Sequence, residues 1–463
     1  MKAQNVIAVG FFLLKISQPV HASQLDLKKY STKNFLMNTT PTGCMPKGMK
    51  LDPIGNSLYV AEMCGKIDPI TKKRVPSMSI YDLEKRTLSK TIITPVGKSD
   101  GILANTEVEF SLNEEWGFVT RAEGDEHSEV YKNMGLLTVV NTFSQTISKY
   151  IPLYGLGSKI ISARPFVSGD PQRKQVLYVA NYFSDDVSVV DVTNLKEDGK
   201  LDGTTHFVGK ISLHTSFKNP HSKAYFIAPR GIAFTPDGKF ALILSTETGS
   251  LIIVDAIKHQ QIAELAPLNP ASVGRELNLR HIVISSDGQT AYLSHMRGNS
   301  ISRFNLPKLI ELVLNLKKSG KDITLPSSLW DDLLIPFKIP EGVKKILVLE
   351  DYPLDHPNFP GKKWIYAHPN TIVLSPYQNR YLYVSSRTTS NADDSKVDPK
   401  IMGKIDIVDT KKDKVIFTLV AGSQPTALEV SRDNKILISG SLIGDKLYFY
   451  DIKKLIDLYE LGE

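Results

Sequence analysis

Cysteine is almost missing from this chain, with two in 463 residues, Cys44 and Cys64. No Cys-x-x-Cys-His occurs, which excludes covalently attached c-type haem, and no Cys-x-x-Cys spacing supports a redox pair. Also absent are Gly-x-x-x-x-Gly-Lys-Ser/Thr and His-Glu-x-x-His, which removes the commonest phosphate-loop and zinc-protease chemistries. The ten histidines are scattered, without the spacing of a metal set. No apolar run approaches the roughly 20 residues a membrane-spanning helix needs. Neither sign of charge dominates: 56 Lys and Arg against 49 Asp and Glu leave a formal +7. No dense basic run is present, so nucleic acid is disfavoured as a partner.

What is present begins with an export signal. Lys2 precedes the apolar stretch Val6 to Leu14, and Val20-His21-Ala22 offers small residues where a signal peptidase cuts. Residues 1–22 are expected to be removed, and with Lys2 and Lys15 lost the formal charge falls from +7 to +5. The mature chain then has no transmembrane anchor and is expected in the periplasm or outside the cell. Its 41% hydrophobic and 23% charged residues suit a folded globular chain.

The body of the sequence repeats. Seven segments share an order of apolar strand, turn, second strand, polar loop, and third strand ending in an apolar residue plus Asp or Asn. Leu58-Tyr59-Val60, Leu177-Tyr178-Val179, Ala291-Tyr292-Leu293 and Leu382-Tyr383-Val384 exemplify the second strands, and Val189-Val190-Asp191, Ile253-Val254-Asp255 and Ile407-Val408-Asp409 the third. Thr235-Pro236-Asp237-Gly238, Ser286-Asp287-Gly288 and Arg432-Asp433-Asn434 supply turn residues between first and second strands.

These stretches, Leu177 to Val192 and Pro229 to Ala256 above all, resemble the YVTN-type repeat of the lactonase-like and cytochrome-d1-like propellers. The resemblance implies an all-β, seven-bladed β-propeller over 23–463, with blades near 46–95, 108–153, 162–213, 229–267, 279–350, 369–422 and 425–455. Such propellers include lactonase-like enzymes, haem-binding domains and non-catalytic binding proteins, so fold analogy does not choose among them.

The longest gap between repeats, within 307–368, holds an insertion. Pro307 to Gly320 reads as a helix with Pro307 in its first turn and Gly320 as its stop, and Val343 to Glu350 as a fourth strand. The helix is expected to cover a blade edge or to act as a lid. The seventh repeat supplies three strands before Lys453 to Leu461 turns helical. Residues Phe35 to Pro41 are expected to complete it and close the ring. Export makes pairing the expected state of Cys44 and Cys64, which flank the first hairpin of the first blade.

Propellers bind ligands where the loops into the innermost strands and the second-to-third loops open around the channel. The former supply Lys47, Arg164, Arg230, Arg280 with His281, Asn370 and Gln424, and the latter Arg121, Asn181, His295 with Arg297, and Arg387. Ligand-binding candidates are therefore Arg121, Arg164, Arg230, Arg280, His281, His295, Arg297 and Arg387, an anion funnel unless Glu62, Glu123 and Glu247 neutralise it. Pro229-Arg230-Gly231-Ile232 aligns with Leu279-Arg280-His281-Ile282, which sets Arg230 beside Arg280. Aromatic residues near the funnel are few: Tyr131, Tyr182 and Phe183.

The leading expectation is a non-catalytic binding or scaffold propeller that engages an anionic small molecule or an envelope protein and needs no cofactor. A lactonase-like hydrolase of an acidic substrate, with His295 and Glu247 as catalytic groups, is the alternative. A haem d1-type tetrapyrrole site, with His281 or His295 as axial ligand, is the second.

Overall fold

The computed structural model describes residues 27–67, 72, 74–94, 105–122, 134–218, 223, 225–267, 278–337, 346–349, 367–376, 378–388, 397 and 400–462. The expected signal peptide, Glu123 and Tyr131 lie outside these residues. The described strands form seven antiparallel sheets, each with four strands in sequence order or nearly so, as the repeats predict. The innermost strands are Cys44–Leu51, Asn105–Phe110, Ser158–Ala163, Pro229–Phe234, Leu279–Ile284, His368–Leu374 and Pro425–Val430. Each touches the next around the ring. Blades 2 and 3 begin at Asn105 and Ser158, a few residues before the starts at 108 and 162 expected from sequence.

The hydrophobic core is not one body. Buried apolar residues fall into seven clusters, one for each interface between neighbouring blades. A second strand serves two of them, because alternate side chains point to opposite faces of a sheet. Leu58 and Val60 pack towards blade 7, while Tyr59 and Ala61 pack towards blade 2. Strands buried on both faces explain why these segments read as unbroken apolar runs rather than alternating ones.

The Asp or Asn that ends each third strand has a single job. Asp82, Asn141, Asp191, Asp255 and Asp409 each accept a backbone N–H two or three residues ahead, forming the following turn. In blades 5 and 7 the same device starts a helix instead: Asn305 accepts from Lys308 N at 3.0 Å and Asp451 from Lys454 N at 2.8 Å. The helices that follow, Leu306–Leu316 and Ile452–Leu461, match the two expected from sequence. The first ends through a short 3₁₀ turn at Gly320, whose φ of +69° suits glycine.

The insertion covers the outer edge of blades 4 and 5. Leu306, Leu309 and Val313 enter the cluster between these blades, and Trp330 is buried there with its indole N–H on Ala266 O. Residues Ile323–Leu325 add a fifth, parallel strand to blade 4, and Ile346–Val348 supplies the fourth strand of blade 5. The helix is thus an edge cover.

Leu36–Pro41 pairs antiparallel with Lys446–Asp451 as the outermost strand of blade 7, so the N-terminal segment closes the ring. Phe35 sits against Phe417 at 5.2 Å between centroids, and Thr32 Oγ1 accepts the N–H of Val420, which ties the segment to blade 6 as well. Cys44 and Cys64 are bonded, with 20 residues between them in sequence. A loop of this size is worth about 3 kcal/mol in the chain-entropy account. The bridge fixes the first blade just after the closing strand leaves it.

Closure of this kind makes stability depend on the N-terminal strand. Removing residues 23–41 should lower the melting temperature by well over 5 °C, as loss of several kcal/mol does in a chain of this size (~2–4 °C per kcal/mol), and expose an aggregating edge. Calorimetry and light scattering of the truncated chain check this; a truncation that melts like the full chain contradicts it.

Candidate functional site

The innermost strands share one irregularity. In every blade their pairing with the second strand slips near the strand start: at Pro46/Gly48, Asn105/Glu107, Ser158/Ile161, Pro229/Ile232, Leu279/Ile282, Pro369/Ile372 and Pro425/Ala427. Such a bulge re-aims a side chain at the edge of a sheet. The residue after the first of each pair is equivalent around the ring: Lys47, Thr106, Lys159, Arg230, Arg280, Asn370 and Thr426. Four of these are cations and none is a carboxylate.

The uncharged members fasten neighbouring blades. Thr106 Oγ1 donates to Ser158 O at 3.2 Å, Asn370 Nδ2 to Thr426 O at 3.4 Å, and Thr426 Oγ1 to Pro46 O at 3.4 Å. Lys159, Arg230 and Arg280 occupy consecutive places in blades 3, 4 and 5, and their charges act on one another. Burial, then Arg230 and Arg387, pull the Arg280 guanidinium well below its ordinary value, while Tyr182 and Glu247 oppose them. Arginine keeps its proton regardless, so that direction measures the cost of crowding like charges where water is scarce.

Lys159 bears the same pressure and can yield to it. Burial, then Arg230 and Arg280, push its amine down to about 6. Its Nζ lies 3.7 Å from the Tyr182 ring centroid and 5.2 Å from that of Phe183, with no hydrogen bond or ion pair to a described residue. The ring contact favours the ammonium by about 0.5–2 kcal/mol, which recovers only part of the drop. The Tyr182 hydroxyl donates to Glu247 Oε1 at 3.3 Å. Gln424 Oε1 accepts from Arg387 Nε at 3.2 Å and from Thr388 N at 3.0 Å, which orients the Arg387 fork.

Deeper in the channel the side formed by blades 1, 2 and 7 turns acidic. Lys50 bonds Glu109 at 2.6 Å. Burial pushes the Glu107 carboxyl up to about 8 against the pull of Lys50, Lys47 and Arg230, and pushes Glu429 up to about 7 against Lys50. Gly48 must be glycine, because a Cβ there would strike the Glu107 carboxylate and Thr106 O. Burial, then Arg230 and Lys50, hold His281 down to about 4. Water reaches these groups along the channel, yet protein encloses them on every side.

Lys47, Arg230, Arg280 and Asn370 therefore occupy the ring as the sequence reading places them. Arg121 and Arg387 end second strands at the same face, and Arg297 lies in the turn beyond the second strand of blade 5. Two placements are corrected. Arg164 pairs with Val176, at the start of the second strand, so it sits at the opposite face, where its Nη1 donates to Ala256 O at 2.8 Å. Its expected place belongs to Lys159. His295 is 0% exposed, and its Nε2 shares a 2.6 Å hydrogen bond with Ser302 Oγ. It lies on the strand face of Ala291 and Leu293, which packs on blade 4, so it does not face the axis; burial holds it neutral, down to about 3. Glu62 is also enclosed, accepting from Gly43 N at 2.7 Å and from the Ser77 hydroxyl, and is committed within blade 1.

Three residues of the site escaped the sequence reading: Lys159, Glu107 and Glu429. The Gly-x-Ser-x-Gly spelling at Gly97 to Gly101 was passed over too, and lies outside the described residues. Among the described residues no three His, Cys, Asp or Glu side chains form a metal-sized cluster.

Residues 161–309 match the family described as lactonase, 7-bladed β-propeller. The chain is a lactonase-like seven-bladed propeller. The matched span takes in Arg230, Glu247, Arg280 and His295. The propeller is also 25% identical, over 345 residues and 72% of its length, to antigen Lp49 of Leptospira interrogans; the match spans 57% of that relative. A putative 6-phosphogluconolactonase from Bacteroides uniformis shares the fold with a TM-score of 0.52 at 13% identity, covering 86% of this chain and 92% of that one. Hydrazine synthase of Kuenenia stuttgartiensis does so with a TM-score of 0.54 at 14% identity, over 88% and 95%. At such identities both show the architecture alone.

The raised Glu107 gives this lactonase-like propeller a pH signature. A carboxyl whose folded pKa lies above its unfolded one binds an extra proton on folding, so its contribution is full below about 4.5 and is lost as pH rises through about 8. Glu107→Gln, a mimic of the protonated group, should match wild-type stability near pH 5 and exceed it at pH 9 by at least about 1 kcal/mol. Urea unfolding at the two pH values checks this; equal stability at pH 9 contradicts it.

Proposed function

We propose that this propeller is an exported binding protein whose channel mouth holds a carboxylate or phosphate between Arg230, Arg280, Arg387 and Lys159. The run of basic residues at one bulge position in three adjacent blades carries this reading. Glu247 offsets part of the charge, and like charges held in scarce water are relieved by a bound anion. Arginine forks suit planar anions, and such charge-assisted bonds are stronger than neutral ones. The disulfide supports export, because such bonds persist in oxidising compartments.

The family match favours a second reading, hydrolysis of an acidic lactone. Enclosure of His295 leaves Glu247 as its base, so turnover should vanish in Glu247→Gln. A tetrapyrrole is supported less, since the same enclosure removes His295 as an axial ligand and leaves only His281.

The binding reading is tested by thermal shift with citrate and phosphate at low and high salt. Ligand at a hundred times Kd should stabilise the wild type by about 2.7 kcal/mol, with a smaller effect at high salt. Arg230→Gln with Arg280→Gln should abolish most of the response. An unresponsive wild type, or a double variant that responds like it, contradicts the proposal.

A further inference from the structure

Among the cations of the mouth, Lys159 stands apart. Its amine rests on the Tyr182 face at 3.7 Å, with no carboxylate or carbonyl bonded to it among the described residues. By contrast Lys50 bonds Glu109, Lys149 bonds Asp198 and Lys404 bonds Asp406. The bulge register places Lys159 one blade from Arg230 and two from Arg280, at the same level. Tyr182 joins this group to Glu247 at 3.3 Å, which gives the cluster a proton acceptor of its own.

We infer that Lys159 is a nucleophilic amine that forms a reversible imine with a small acid carrying an aldehyde or ketone next to its carboxylate, the carboxylate lying against Arg230 and Arg280. This deepens the anion-binding reading and rests on it. The Nζ lone pair attacks the carbonyl carbon, the carbonyl π electrons move to oxygen, and the carbinolamine takes up the proton the nitrogen sheds. Loss of one water, its oxygen being the former carbonyl oxygen, leaves the C=N bond. Addition of water reverses every step, and no oxidant or reductant is consumed. The amine must be neutral to begin, and the fall to about 6 makes it so at neutral pH, as for a lysine set beside other cations in a partly desolvated site. An ordinary surface lysine, near 10.4, is almost wholly protonated there.

The test uses the full mature protein with glyoxylate as probe, propanal as a carbonyl without a carboxylate, and cyanoborohydride to trap the imine as a stable amine. Peptide mass spectrometry reads the adduct at each lysine. At pH 7 Lys159 should be carboxymethylated at least about ten-fold faster than the mean surface lysine, and faster by glyoxylate than by propanal at equal concentration. Citrate should slow the glyoxylate reaction. Arg230→Gln with Arg280→Gln should slow labelling at Lys159 at pH 7 and restore it near pH 10, a readout that mere misfolding does not produce. If Lys159 reacts no faster than surface lysines while citrate still stabilises the wild type, the imine inference falls and the anion site stands. If glyoxylate and propanal label Lys159 equally and citrate does nothing, the acid ligand is wrong as well.

Discussion

Every second strand in this ring must satisfy two neighbours at once, one through each face. That demand replaces a central core with seven interfaces. Leu58 and Val60 cannot be traded against Tyr59 and Ala61, because each pair fits a different blade. A register slip of one residue would turn both sets to the wrong neighbour. The ring is therefore stable only when complete, and the N-terminal strand Leu36–Pro41 supplies the last pairing.

Because packing is spent between blades, the axis is left for polar groups. The innermost strands need only their outer halves for packing, and each carries a bulge at the mouth. Side chains freed there either bridge to the next blade, as Thr106 and Thr426 do, or gather charge, as Lys159, Arg230 and Arg280 do. The channel then separates its charges in depth: cations at the mouth, with Glu107, Glu109 and Glu429 beneath on one side. Burial raises Glu107 and Glu429 towards neutrality, so they compete weakly for the cations above.

The fold was open to reading from sequence because its signals are local. Terminal Asp and Asn residues mark turns, the runs around Tyr-Val mark doubly buried strands, and Asn305 and Asp451 announce helices by the same hydrogen bond that makes turns elsewhere. The site was half readable. Arg230 and Arg280 follow Pro229 and Leu279 in plain alignment, and Ser158-Lys159-Ile160-Ile161 aligns with both once blade 3 is started four residues earlier than expected. Ala163-Arg164-Pro165 drew the reading away, since an arginine beside a proline imitates Pro229-Arg230. His295 misled for another reason: strand alternation assigns it to the face of Leu293, and a residue at a strand end looks exposed until the neighbouring blade is placed against it.

The central claim is that the bulge ring gathers an anion site at the mouth of the channel. Diffraction from crystals soaked in selenate, a tetrahedral anion with strong anomalous scattering, locates such a site without reference to function or stability. The account places an anomalous peak within hydrogen-bonding reach of Arg230 and Arg280. Occupied selenate elsewhere on the protein, with nothing between those two guanidinium groups, would contradict it.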